Sequence, residues 1–339
     1  MLLDWNSIRE RGLAGVGINE EEAREIGRLT DPEAVERLLA IAGEVKQHHK
    51  GNEIYTCGIT NAKSGRCPEK CSFCSQSAFY ETEAPKYPLK PPDLIAAEAR
   101  AAEAHGVREF SIVTSGRSLS NAKEFESVKK SLKQIRETSG VQTCASLGLM
   151  KKEQLAELQA AGLDSYHHNL ETSRSFHPNV VETHTYDEER EAIVAAKSLG
   201  LYVCCGGIFG MGETWDQRVE LATDLRALNV DSVPINFLNP RPGTPLAEKH
   251  DLTPETCLKI IAMLRLMLPE RDLIVCGGRE VNLEDRQPEL FRAGATGVML
   301  GNYLTTSGTQ TDSDLQMIES LGLEVRPPPH TPTAPPATT

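Results

Sequence analysis

Cys67, Cys71 and Cys74 stand at spacings of four and three residues within the run Cys67-Pro68-Glu69-Lys70-Cys71-Ser72-Phe73-Cys74. Three thiolates that close grip a metal centre from one side and cannot complete a four-ligand shell alone. On an iron–sulfur cluster such a set leaves one iron able to bind a small molecule directly. The competing chemistry is a zinc knot, which uses four protein ligands, commonly in paired Cys-x2-Cys halves. Here one half is Cys-x3-Cys, and the nearest further thiol is Cys57. The spacing therefore favours iron and sulfur over zinc.

Composition narrows what surrounds this loop. The 339 residues carry 36 basic and 48 acidic side chains, a net charge of −12 that argues against nucleic-acid or anionic-membrane partners. No uninterrupted apolar run approaches the ~18 residues needed to span a bilayer. The start, Met1-Leu2-Leu3-Asp4-Trp5-Asn6, shows no basic segment followed by an apolar core, so a cytoplasmic location is expected. That compartment keeps thiols reduced, and nine cysteines, an odd number, then read as metal ligands, catalytic groups or packing rather than disulfides.

The elements that must hold the loop follow from periodicity. Residues 1–50 read as an N-terminal helical extension, with helices opening at Glu20-Glu21-Glu22 and at Asp31-Pro32-Glu33, where Asp31 caps and Pro32 takes the first helical position. From residue 51 to 325 strand and helix patterns alternate. Strand-like runs occur at 54–57, 110–113, 143–147, 165–168, 202–205, 233–236, 273–276 and 298–300. Strict alternation implies parallel strands with right-handed crossovers. An open doubly wound sheet shares this pattern, but eight units in about 250 residues is the size of an α/β fold of the closed (β/α)8 TIM-barrel type. Residues 326–339, rich in proline and threonine, are expected to form a disordered tail.

In a barrel, a loop after the first strand lies at the C-terminal mouth, where active sites form. Cys144, Cys204, Cys205 and Cys276 fall on later strands, from which several thiols can aim at one spot. Any one alone would be packing; four together suggest a second metal centre. Adjacent Cys204 and Cys205 point the same way only if the strand is broken there, which Gly206, Gly207 and Gly210 make plausible. Cys57 and Cys257 read as core. The glycine run Gly206–Gly212 fits neither a dinucleotide fingerprint nor a Walker loop and suggests backbone bared to a ligand.

These residues carry a resemblance. Cys-x3-Cys-x2-Cys after the first strand resembles the radical S-adenosylmethionine superfamily. With Asn61–Glu69, Tyr166–Ser173, Val233–Asn236, Gly243–Leu246, Gly278–Glu280 and Tyr303–Thr306, the chain from about residue 50 to 325 resembles the biotin synthase family. The resemblance implies that Cys67, Cys71 and Cys74 hold a [4Fe–4S] cluster whose fourth iron is chelated by S-adenosylmethionine. Reductive cleavage yields a 5′-deoxyadenosyl radical that takes hydrogen from C9 and then C6 of dethiobiotin. Sulfur from an auxiliary cluster deeper in the barrel bridges those carbons. An external flavodoxin- or ferredoxin-like electron donor and a homodimer are implied as well. Residue by residue, Phe73 matches an aromatic beside adenine, Glu171 a carboxylate at the ribose, Asn169 and Asn236 the amides on the ureido ring, and Thr305 and Thr306 the substrate carboxylate. Strand-end capping is the plain alternative for Asn236 and Thr306.

The departures from the better-known form are specific. Of its auxiliary [2Fe–2S] ligands, three cysteines and one arginine, the first position is Ser111 here, the second Cys144, the third Cys204, and the arginine Ile274. Cys205 and Cys276 appear close by. This set of losses and gains resembles a second type of biotin synthase and suggests a four-iron cluster on Cys144, Cys204, Cys205 and Cys276. Glu189 stands where an arginine for the S-adenosylmethionine carboxylate is expected, with Arg190 next, and His167 replaces a usual asparagine. Another radical enzyme of the same barrel family, or a non-catalytic iron–sulfur carrier, would share the cysteines.

Overall fold

The computed structural model describes residues 3–119, 121–327 and 330. Three helices come first: α1 Trp5–Leu13, α2 Glu20–Gly27 and α3 Pro32–Lys50. The Asp31 carboxylate accepts from the Glu33 and Ala34 N–H groups, and Asn19 and Glu22 form a reciprocal cap on α2. α1 was not expected from the sequence.

The barrel strands are β1 Glu53–Lys63, β2 Glu109–Thr114, β3 Gln142–Ser146, β4 Ser165–His167, β5 Tyr202–Cys204, β6 Gly207–Phe209, β7 Ser232–Phe237, β8 Asp272–Val275 and β9 Gly297–Met299. All pair in parallel, and β1 pairs with both β2 and β9, so the sheet closes. β5 and β6 are two pieces of one barrel position, since both pair with β7 on either side of Cys205-Gly206. The eight expected strand positions are thus present and the closed barrel holds.

Around it lie α4 Pro92–Ala104, α5 Ala122–Thr138, α6 Lys152–Ala160, α7 Tyr186–Ser198, α8 Trp215–Ala227, α9 Pro254–Met267, α10 Arg279–Leu283, α11 Glu289–Arg292 and α12 Thr311–Ser320. Their apolar faces and the outward strand residues make one continuous core. α9 is buried from Cys257 to Met267 because α1, α2 and α3 cover the side turned away from the barrel. Arg265, fully buried on that helix, donates to the carbonyls of Gly294, Leu268, Pro269 and Arg271.

A short strand β10, Glu324–Val325, adds to the start of β1. Arg326, placed in the tail by the sequence, is instead anchored: its N–H donates to Ile54 O and its guanidinium lies over Tyr55 beside Glu53 and Asp272. His330 meets Asp164 at 3.1 Å. The expected disorder of residues 328–329 and 331–339 lies outside the described residues.

Candidate active site

The cysteine loop is fastened on three sides. At its neck, Gly65 and Arg66 both take positive φ, and Gln76 Oε1 accepts from Gly65 N–H and from the Ser64 hydroxyl. Cys67 N–H donates to Gln76 O, and Ala78 N–H returns to Cys67 O at 2.8 Å. On the far side Ser72 N–H donates to Val180 O and Lys70 N–H to the Thr183 hydroxyl. Burial lifts all three thiols, Cys74 to about 11, so iron binding has to displace protons.

Below the loop, a cavity of about 330 Å³ opens into the barrel. Barrel interiors are normally filled by layers of valine, isoleucine and leucine. This one is lined at its floor by Cys57, Glu109, Ser111, Cys144, Cys204, Ile274, Cys276 and Met299, most of them small. Register explains the ring: Ser111 pairs with Cys144, Cys144 with Ser165, and Cys204 with Ser232, so these side chains leave the sheet on the same face. The hydroxyls of Ser111, Ser165 and Ser232 and one Glu109 oxygen are buried without a well-formed hydrogen bond, with the Cys144 and Cys204 thiols, Glu109 and Tyr202 as their near polar neighbours. Four such polar atoms among thiols suit an inorganic sulfide-bearing group better than an apolar core. Burial pushes the Glu109 carboxyl up to about 7.

Two model matches and the full-length relatives now bear on identity. The Radical SAM superfamily model matches residues 61–225, and the Biotin and Thiamin Synthesis associated domain matches residues 234–324. A biotin synthase of Anaeromyxobacter sp. (strain Fw109-5) is 52% identical over 92% of this chain and 85% of its own length. One from Geobacter sulfurreducens is 50% identical over 94% of this chain and 97% of its own. This chain belongs to the biotin synthase family. Among solved structures, methylornithine synthase (PylB) superposes with a TM-score of 0.82 at 21% identity, covering 94% of this chain and 97% of its own, which shows the shared fold.

For a biotin synthase the residues fall as follows. Phe73, Cys74, Asn169, Glu171, Asn236, Thr305 and Thr306 all line the one cavity. Glu171 has φ 58°, a strained left-handed conformation, and burial pushes its carboxyl up to about 8. Asn169 Oδ1 accepts from Gly206 N–H at 3.1 Å, and its Nδ2 donates to Glu171. Asn236 caps the strand ends, accepting from Gly277 N–H and donating to Gly207 O. Each amide keeps a second donor hydrogen and a second lone pair for a ligand. Thr305 shares a 2.9 Å hydroxyl contact with Ser75. Its loop is positioned by Tyr303, whose hydroxyl donates to Glu280 Oε1 at 2.8 Å and lies 3.1 Å from Cys276 O, while Arg279 beside it is buried against Asp314. Gly278, at φ +77°, must be glycine: a Cβ would sit 1.9 Å from Phe237 O.

Cys205 does not join the inner thiols. Although the strand breaks after Cys204, Cys205 turns outward into the apolar core between barrel and helices, and Cys57 takes an inward place instead. The period-two alternation that places Cys57 with Ile59 on one face of β1 was available in the sequence. The glycine run is likewise explained by chain packing rather than a ligand: Cβ atoms at Gly206 and Gly207 would strike Pro234 O and Glu171 O.

Neither Glu189 nor Arg190 lines the cavity. Arg190 turns to Asp224 at 3.1 Å. Glu189, 1% exposed, accepts from His184 Nε2 at 3.0 Å, with His177 Nε2 3.4 Å away. His167 lines the cavity with its Nδ1 3.4 Å from Cys204 Sγ, and burial, with His168 adding, lowers it to about 4, so the ring is neutral. Arg241, which no sequence motif marks, is the only lysine or arginine lining the cavity among the described residues, and no ion pair engages it there. Its loop packs against the cysteine-loop extension, with Gly243 against Glu81 O and Thr82, and Thr82 bonds back to Ser75.

Proposed function

We propose that this enzyme inserts one sulfur atom between C6 and C9 of dethiobiotin, forming biotin. Cys67, Cys71 and Cys74 hold the [4Fe–4S] cluster that engages S-adenosylmethionine, and an auxiliary cluster of four-iron type rests on the thiols of the barrel floor. When bound, the first cluster with its nucleoside supplies hydrogen abstraction at unactivated carbon, and the second supplies sulfur. The chain's own residues bind, orient and shield. Asn169 and Asn236 face the ureido ring with spare amide donors and acceptors. Glu171 answers the ribose hydroxyls; held protonated by burial near neutrality, it can donate as well as accept. Thr305, Thr306 and the unpaired Arg241 receive the substrate carboxylate at the rim. An external one-electron donor of flavodoxin or ferredoxin type, a homodimer and a cytoplasmic setting belong to the same reading.

The observation that supports it most is the order of groups lining one cavity: Cys74 from the cysteine loop, a middle layer of the Asn169 and Asn236 amides and the Glu171 carboxyl, and free thiols at the floor. A carrier of clusters would have no use for the middle layer. The test is isotopic. Protein reconstituted anaerobically with ³⁴S-sulfide, then given reductant, S-adenosylmethionine and dethiobiotin, should yield ³⁴S-biotin. Biotin bearing only unlabelled sulfur would exclude the inner cluster as donor.

A further inference from the structure

The floor of the barrel presents thiols from four different strand positions, and they are not the four that chain order suggests. We infer that Cys57 is the fourth thiolate ligand of the inner iron–sulfur centre, completing a set with Cys144, Cys204 and Cys276. The assignment rests on the proposed function and refines its ligand set.

Three observations carry it. First, direction: Cys57 and Ile59 leave β1 on the cavity side, as do Cys144 on β3, Cys204 on β5 and Cys276 just past β8. Second, contact: the Cys57 and Cys276 thiols are neighbours that pack with Tyr55, Ile274 and Met299 in a patch separate from the main core. The barrel closes at this point, because β1 pairs with β9 and β9 with β8, so residues 219 positions apart in sequence (276 minus 57) meet. Third, surroundings: the poorly bonded hydroxyls of Ser111, Ser165 and Ser232 belong to strands β2, β4 and β7, which alternate with those bearing the cysteines. Thiols alternating with hydroxyl donors form the kind of wall that binds iron through one set and hydrogen-bonds cluster sulfides through the other. Cys205 meets none of these conditions. It is wholly buried in the core on the outer side of the sheet, and the groups acting on its thiol are Leu170, Glu189, Glu171 and Arg190 rather than a second cysteine.

The experiment isolates the inner centre. In a full-length Cys67→Ala/Cys71→Ala/Cys74→Ala background, reconstituted anaerobically, only the inner cluster can form. Iron, acid-labile sulfide and Mössbauer spectra are then compared with and without a fourth substitution. The background should hold about four irons per chain. Cys57→Ala should lower this at least threefold, and Cys57→Ser should keep iron but with one site shifted toward oxygen ligation. Cys205→Ala should match the background in iron and spectrum. Full iron and an unchanged spectrum in both Cys57 variants, or loss in Cys205→Ala, would overturn the assignment alone. A background devoid of iron would overturn it together with the four-iron reading beneath it.

Discussion

His184 Nε2 lies 3.0 Å from Glu189 Oε1, while the other nitrogen of the same ring meets Glu69 of the cysteine loop. One imidazole thus bridges two buried carboxylates and ties the loop to helix α7. The ring's pKa is raised: burial alone would lower it, but the two carboxylates outweigh that. Arg117 reaches the same cluster, donating to Thr183 O at 2.8 Å and pairing with Glu188. Where the family resemblance expects an arginine for the S-adenosylmethionine carboxylate, this chain uses Glu189 as a structural anchor.

His184→Ala should therefore leave the barrel folded yet loosen the loop. Groups that orient metal ligands are worth roughly 10–100-fold in affinity. Iron release to a chelator from the Cys67–Cys74 cluster should accelerate by about tenfold, followed by the loss of its visible absorption, with unchanged far-ultraviolet circular dichroism. Release at the wild-type rate would show that the bridge does not hold the loop.

Arg241→Gln should weaken dethiobiotin at its carboxylate end. Hydrogen bonds to charged groups contribute about 1.5–3 kcal/mol, or roughly 10–100-fold in KM. Dethiobiotin methyl ester provides the control: the wild type should bind it as poorly as the variant does. Equal affinity of the wild type for acid and ester would remove Arg241 from the site.

The N-terminal end of the barrel makes a separate, pH-dependent contribution to stability. Asp272, 5% exposed, is met by Lys50 at 3.2 Å, Arg326 at 3.5 Å and the Tyr202 hydroxyl at 3.1 Å. Burial would raise its carboxyl, but Lys50 and Arg326 outweigh this and hold it below the usual range. Lys50 is itself lowered, because its burial outweighs Asp272, so the pair offsets part of its own gain. A depressed carboxylate stabilises the fold above its unfolded pKa of about 4 and loses that share as pH falls through the folded value. Asp272→Asn should cost about 3 kcal/mol at pH 7 and flatten the fall of melting temperature below pH 4. A variant whose melting curve parallels the wild type from pH 7 to pH 3 would refute this.

What the sequence disclosed depended on the range of the interaction. Strand positions, the acidic opening of α2 and the cap at Asp31 are local and were legible; the Asn19 cap emerged with the structure. The cysteine loop was legible too, because its three cysteines sit within eight residues, Cys67 to Cys74. The facing of Cys205 was not, since a strand broken at Cys205-Gly206 could turn either way until the core outside the barrel and the Leu170 backbone took up its side chain. Cys57 read as core because its partner Cys276 arrives only when the barrel closes. Arg326 read as tail because proline and threonine follow it; its anchors, Ile54, Tyr55 and Asp272, are distant in sequence.

The central claim is that this barrel uses the Cys67–Cys74 loop to split S-adenosylmethionine and spends the product on dethiobiotin. One oxygen-free incubation of the reconstituted enzyme with reductant, S-adenosylmethionine and dethiobiotin measures both arms by mass spectrometry. The account predicts 5′-deoxyadenosine and biotin together in the wild type and neither in Cys71→Ala. Wild-type enzyme that forms no 5′-deoxyadenosine, or forms it without any biotin, would contradict it.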